Sequence, residues 1–170
     1  RRVFLKDKDT DWLLEYANSS EKVEEPKVNW TSNGYTYGYV EIKNPEDDGD
    51  KLHLTGELPN NMSAKENINC FFDTLGVRLH PQTYSVDFQN PITGYRALVD
   101  TASLINWYIA TEITANWDGF YSVYMYKTPY SKLYFGPLWD EDLAYGNHTE
   151  TYDRTWFSNG DFYDKLLCEN

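Results

Sequence analysis

Asp118, Asp140 and Asp142 carry the strongest chemical signal in this chain. Asn116-Trp117-Asp118 closes a helical segment, and Gly136-Pro137-Leu138-Trp139-Asp140-Glu141-Asp142-Leu143-Ala144 follows a pair of strand-like runs. Asp140 and Asp142 are two residues apart, so in extended backbone they share a face at roughly 6.5 to 7 Å. A bend there brings both to one cation. A hairpin between Asp118 and Asp140 returns the chain toward its start and places Asp118 near the pair. Three carboxylates at one point repel unless a cation neutralises them, and an oxygen-rich set suits magnesium, manganese or calcium. The alternative is that these aspartates cap helices and satisfy loop amides. Spacing alone leaves both readings open.

The elements that must hold these residues can be read from periodicity. A helix is expected from Asp100, which can cap its first turn, to about Asn116. Leu104, Ile105, Tyr108, Ile109 and Ile113 are its expected buried stripe. Glu112 lies near that stripe, so if buried it needs a basic or hydroxyl partner. The period then changes to two, and residues 123–127 and 132–136 read as a β-hairpin around Thr128-Pro129-Tyr130-Ser131. A second helix is expected from Ser63, where Ser63 and Glu66 form a capping box. Its apolar face is Ile68, Phe71, Phe72 and Leu75, and Gly76 should end it. Tyr35 to Ile42 reads as a strand and residues 46–50 as a solvated acidic loop. Residues 1–28 hold one short helical pattern around Trp12, Leu13 and Tyr16. Trp156, Phe157, Phe162, Tyr163, Leu166 and Leu167 suggest a closing helix. The expected class is α+β and mainly helical, with one prominent β-hairpin.

Composition narrows the function. The chain has 170 residues, one domain's worth or a piece of one, with a net charge of -12. No cluster of Lys and Arg supplies the basic footprint of a nucleic-acid binder, so no nucleic-acid partner is expected. No apolar run reaches the roughly 18 residues of a membrane span. Aromatics stand out at 17%, most of them suited to core and hairpin packing. The two cysteines, Cys70 and Cys168, form no CxxC metal motif and leave one disulfide or two free thiols open. Asn-x-Ser/Thr sequons at Asn18, Asn29, Asn61 and Asn147 favour a secreted or cell-surface protein. The start at Arg1-Arg2 and an end inside a helical pattern suggest a fragment.

Several motifs in order resemble the spore-coat-protein-H (CotH) kinase family. They are Val99-Asp100-Thr101-Ala102-Ser103-Leu104, Asn116-Trp117-Asp118, Tyr124-Met125-Tyr126-Lys127, and Lys132 to Ala144 with its Gly-Pro-x-Trp-Asp-x-Asp-Leu-Ala pattern. The resemblance is firm over residues 94–147, looser from Ile42 to Leu75, and faint from Asp161 to Leu167. It implies a protein-kinase-like large lobe, the C-terminal part of a domain whose N-terminal lobe segment is missing from residues 1–40. It implies a metal-dependent atypical kinase, usually extracytoplasmic, that moves phosphate from ATP to a serine of a protein substrate. Asp118 would be the catalytic aspartate and Asp140 and Asp142 the metal ligands, with Mg2+ (or Mn2+ or Ca2+) and ATP. Asn116, Ser122 and Glu112 would support them, Ser122 standing where many relatives carry Asn. Two other readings are a catalytically degenerate surface binding or assembly module and a carbohydrate-binding domain. A metal and nucleotide titration separates the kinase from both, and a glycan array separates the last.

Overall fold

A computed structural model describes residues 11–17, 19, 24, 26–32, 34–44, 64–79, 88, 90–116 and 118–147. Five strands form one antiparallel sheet in the order β2-β3-β1-β4-β5. They are β1 (Trp12–Ala17), β2 (Lys27–Ser32), β3 (Tyr35–Asn44), β4 (Val123–Lys127) and β5 (Tyr134–Phe135). Two helices, α1 (Ala64–Leu79) and α2 (Thr101–Thr114), lie against it. The class is α+β, but the expectation of a mainly helical protein is corrected by this sheet. Aromatic and β-branched residues suit a pleated, half-buried surface, and here they build strands.

The largest correction is β1. Trp12, Leu14 and Tyr16 are buried while Leu13 and Glu15 are half-buried, a period of two rather than the expected helical turn. β1 is the central strand, with Glu15 opposite Glu41 on one side and Tyr124 on the other. Its core face meets Trp30, Val40, Ile42 and Met125, and α1 covers part of that face with Ile68, Phe72 and Leu75. Trp30 stacks on Tyr37 at 4.9 Å and meets Phe72 edge-on at 5.0 Å. Such ring pairs add to simple area burial.

α1 runs through Gly76 to Leu79 rather than ending there. Gly76 is buried, and its carbonyl accepts the Tyr37 hydroxyl at 2.9 Å. Burial pushes the Tyr37 phenol up to about 12, so it remains a donor through the neutral range. The Ser63 cap, the acidic loop at 46–50 and the closing helix from Trp156 lie outside the described residues.

α2 starts as expected, with Asp100 Oδ1 accepting the Ser103 N–H at 2.8 Å. Its buried face differs from the expected stripe. Leu104, Trp107, Thr111 and Thr114 are buried, whereas Ile105, Ile109 and Ile113 are 50%, 47% and 75% exposed. The face is chosen by the hairpin. Trp107 packs on Phe135 and Phe120, each at 5.5 Å, and Ser103 Oγ accepts the Phe135 N–H at 3.1 Å. Val123, Met125, Leu133 and Phe135 point into the core as the alternation requires. The paired part of the second strand is shorter than 132–136, because Leu133 turns to bond residues 98–100.

Gly38 marks the tightest approach in the sheet. Its φ is +147°, and a Cβ there would lie 2.6 Å from the Tyr16 ring and 2.8 Å from the Ala17 carbonyl. Gly38→Ala should therefore lose about 2–4 kcal/mol of stability, from strain and overpacking together. Urea denaturation checks this, and an unchanged midpoint would mean that the close approach does not constrain the sheet.

Candidate functional site

The end of α2 begins the site. Ala115 closes the helix in a left-handed conformation, φ 48° and ψ 46°. That turn sends Asn116 inward, where it is fully buried. Asn116 Oδ1 accepts the Asp118 N–H at 3.1 Å, and its Nδ2 donates to the Asp140 carbonyl at 3.0 Å. Gly119 lets the next turn press against α2, since a Cβ there would sit 2.4 Å from Thr111 Cγ2. The turn tightens with Tyr121 N–H on the Asp118 carbonyl at 2.9 Å, and the chain then enters β4.

The hairpin exit supplies the facing segment. Trp139 leans its ring on Tyr124 at 5.1 Å. Asp140 is left-handed at φ 54°, and Glu141–Leu143 form a short 3-10 turn. This loop is docked on the end of α2. The Tyr145 N–H donates to Thr114 O at 2.6 Å, and Thr114 Oγ1 donates to Glu141 Oε2 at 3.2 Å.

Between the two segments lies a cavity of about 270 Å³ lined by Glu15, Asp118, Tyr121, Ser122, Trp139 and Asp140. Asp118 and Asp140 are thus brought to one pocket. Asp142 is exposed and near enough to act on Asp140, but it does not line the cavity. The charge of Asp142, and then its readiness to accept a hydrogen bond from the protonated Asp140 carboxyl, hold that carboxyl above its ordinary range, with slight burial and Asp118 adding to the effect. Like charges at close range disfavour double ionisation. Among the described residues no group of three or more His, Cys, Asp or Glu stands in ready metal-binding geometry. Carboxylate oxygens suit a cation such as Mg2+ in kind, but the expected convergence of Asp118, Asp140 and Asp142 on one ready cation site is not formed here. Glu112 is half-buried on the last turn of α2 and lines neither this cavity nor the larger one described next.

A cavity of about 520 Å³ lies beyond Gly136-Pro137-Leu138, against α2 and the rings of Tyr126 and Tyr134. Asp100 is the carboxylate in its lining, and it is committed to capping α2. The smaller cavity is therefore the candidate site.

Sequence reasoning missed one wall of the site. Glu15 reaches the pocket from β1. Its Oε2 holds Lys43 Nζ at 2.9 Å and its Oε1 accepts the Ser122 hydroxyl. Lys43 also pairs with Glu41, whose Oε2 accepts the Glu24 N–H at 2.8 Å. Burial pulls the Lys43 ammonium down, but the bonds and charges of Glu41 and Glu15 outweigh it and hold it above its ordinary value. Burial, aided by Glu15, raises the Tyr124 phenol. Once β1 is recognised as a strand, the signal is legible. Glu15 alternates with Leu14 and Tyr16, so it must face away from the core.

Comparison with protein-family models matches residues 16–168 to the family described as CotH kinase protein. No curated protein and no solved structure matches the chain.

Lys43 keeps two carboxylates adjacent on neighbouring strands. Lys43→Met should lower stability at neutral pH by about 1–2 kcal/mol, above a surface pair and below a fully buried one because the pair is partly solvated. Lys43→Arg should restore most of it. Equal urea midpoints for wild type and Lys43→Met would show that this network does not organise the Glu15 wall.

Proposed function

Because the chain belongs to the CotH kinase family, we propose that it is the large-lobe part of a metal-dependent atypical kinase moving the terminal phosphoryl group of ATP to a serine of a protein substrate. The observation that supports this most is the meeting of Asp118 and Asp140 in one pocket, with Asp142 close enough for its charge to raise the Asp140 carboxyl. A helix end and a hairpin exit, remote in sequence, supply these carboxylates.

Phosphoryl transfer needs positioning and charge neutralisation more than covalent help. Asp118 would accept a hydrogen bond from the serine hydroxyl, aim its oxygen at the phosphorus, and take its proton as the new O–P bond forms and the bond to ADP breaks. Asp140 and Asp142 would hold the divalent cation. When bound, that cation neutralises phosphate oxygens that this acidic surface would otherwise repel. Trp139 and Tyr121 wall the pocket with aromatic surface and help to exclude water. The small-lobe segment that clamps the phosphates is the partner this reading requires. Secretion or cell-surface display belongs to the same proposal, and the solvent exposure of the sequon residues Asn29 and Asn147 supports it.

A second reading has one observation in its favour. Ser122, at the place where many relatives carry Asn, spends its hydroxyl proton on Glu15. That favours a degenerate binding or assembly module if Ser122 cannot replace the amide.

Phosphate transfer from labelled ATP by the complete domain decides between them. Asp142→Asn should abolish cation-dependent ATP binding. Asp118→Asn should spare that binding and slow turnover by about a hundredfold to ten-thousandfold. A wild type without transfer or cation-dependent ATP binding would leave the module reading standing. Undiminished turnover in Asp118→Asn would remove the proposed role of that residue.

A further inference from the structure

Asp140 has a side chain yet sits in the left-handed region, φ 54° and ψ 61°. Most L residues avoid that region because Cβ crowds the following carbonyl; aspartate enters it more readily than most, but as single residues and still at a cost. A residue held there persists only where its surroundings over-determine it. The surroundings here include Asn116, which is fully buried and uses both ends of its carboxamide. Nδ2 donates to the Asp140 carbonyl at 3.0 Å, and Oδ1 accepts the Asp118 N–H at 3.1 Å. One planar group thus spans the two chain segments that carry the facing carboxylates. A carboxamide can donate at one end and accept at the other. Aspartate would keep the acceptor and lose the donor, and leucine would lose both.

The base of Asn116 is itself anchored. Its N–H donates to Thr111 O at 3.3 Å, and its carbonyl accepts the Gly119 N–H at 3.2 Å. The other tethers of the hairpin exit, Tyr145 to Thr114 and Thr114 to Glu141, lie beyond Asp140. They keep the loop docked whatever occupies position 116, so loss of the amide acts on Asp140 itself.

We propose that Asn116 is a positioning residue: it holds Asp140 in its left-handed conformation and thereby fixes the spacing of the Asp118 and Asp140 carboxylates across the pocket. Its effect on cation binding rests on the kinase reading given above; its effect on the Asp140 backbone does not.

The test uses the full chain with Asn116→Leu and Asn116→Ser, the serine being polar but too short to span both segments. NMR of the ligand-free protein reads the Asp140 backbone through its amide coupling and carbon shifts. Titration with Mn2+ followed by electron paramagnetic resonance reads cation affinity. In either folded variant Asp140 should leave the left-handed region, and Mn2+ affinity should fall about 10- to 100-fold, the range seen when outer partners of metal ligands are lost. In an Asp140→Asn background the change at position 116 should add little, because its effect acts through Asp140. A general loss of structure would instead add its full cost in both backgrounds. An unmoved Asp140 in a folded variant, or an equal further loss in the Asp140→Asn background, overturns the proposal. If the wild type takes up no Mn2+, the cation reading fails, and the Asp140 backbone alone decides for or against Asn116.

Discussion

Side chains along a strand must alternate, and in β1 that constraint ties the core to the pocket. Trp12, Leu14 and Tyr16 fill one face of the central strand, so Glu15 is forced to the other. A one-residue slip would bury Glu15 and expose three large apolar side chains. Several observations stand against such a slip. The Tyr16 hydroxyl donates to the Tyr37 carbonyl at 2.7 Å, and the Tyr16 ring fills the space that Gly38 leaves open. The register with β4 sets Glu15 opposite Tyr124 and brings Ser122 within reach of its carboxylate. The packing of aromatic rings thus decides where a carboxylate stands in the candidate site.

Charge in the site is arranged by the same geometry. The chain carries a net charge of -12, and carboxylates crowd around one end of the sheet. On the strand wall the crowding is relieved internally, because Lys43 lies between Glu15 and Glu41. On the loop wall no such cation is built in among the described contacts, and the raised Asp140 carboxyl reports the unrelieved repulsion of Asp142. The two walls thus differ in whether a lysine stands between their carboxylates. Lys127 is buried on the opposite face, its ammonium 4.8 Å from the Trp12 ring centre and 5.7 Å from that of Phe71.

Local events are encoded by neighbouring residues. Asp100 as a helix cap, the amphipathic run from Ile68 to Leu75, the alternation of the 123–135 hairpin and the order of motifs that leads to the family all depend on near neighbours along the chain. These were legible because capping, periodicity and turn chemistry are short-range. So was the prospect that Asp118 and Asp140 approach each other, since a hairpin between them returns the chain. The sequence pair Asn33-Gly34 between two aromatic, β-branched runs is also a hairpin signal, and β2 and β3 do pair antiparallel.

The rest depends on contacts between segments distant along the chain. Whether Ile105, Ile109 and Ile113 or Trp107, Thr111 and Thr114 face inward depends on which ring partners arrive from the hairpin, and both sets fit a helical period. Whether Trp12 to Ala17 is helix or strand depends on β3 and β4, distant in sequence, flanking it on both sides. Gly76 could have ended a helix, but the Tyr37 hydroxyl reaches its carbonyl and the helix continues. The Glu15 wall and the Asn116 bridge have the same origin. Each joins atoms whose nearness is created by strand register and loop docking, through hydrogen bonds that no spacing along the chain encodes.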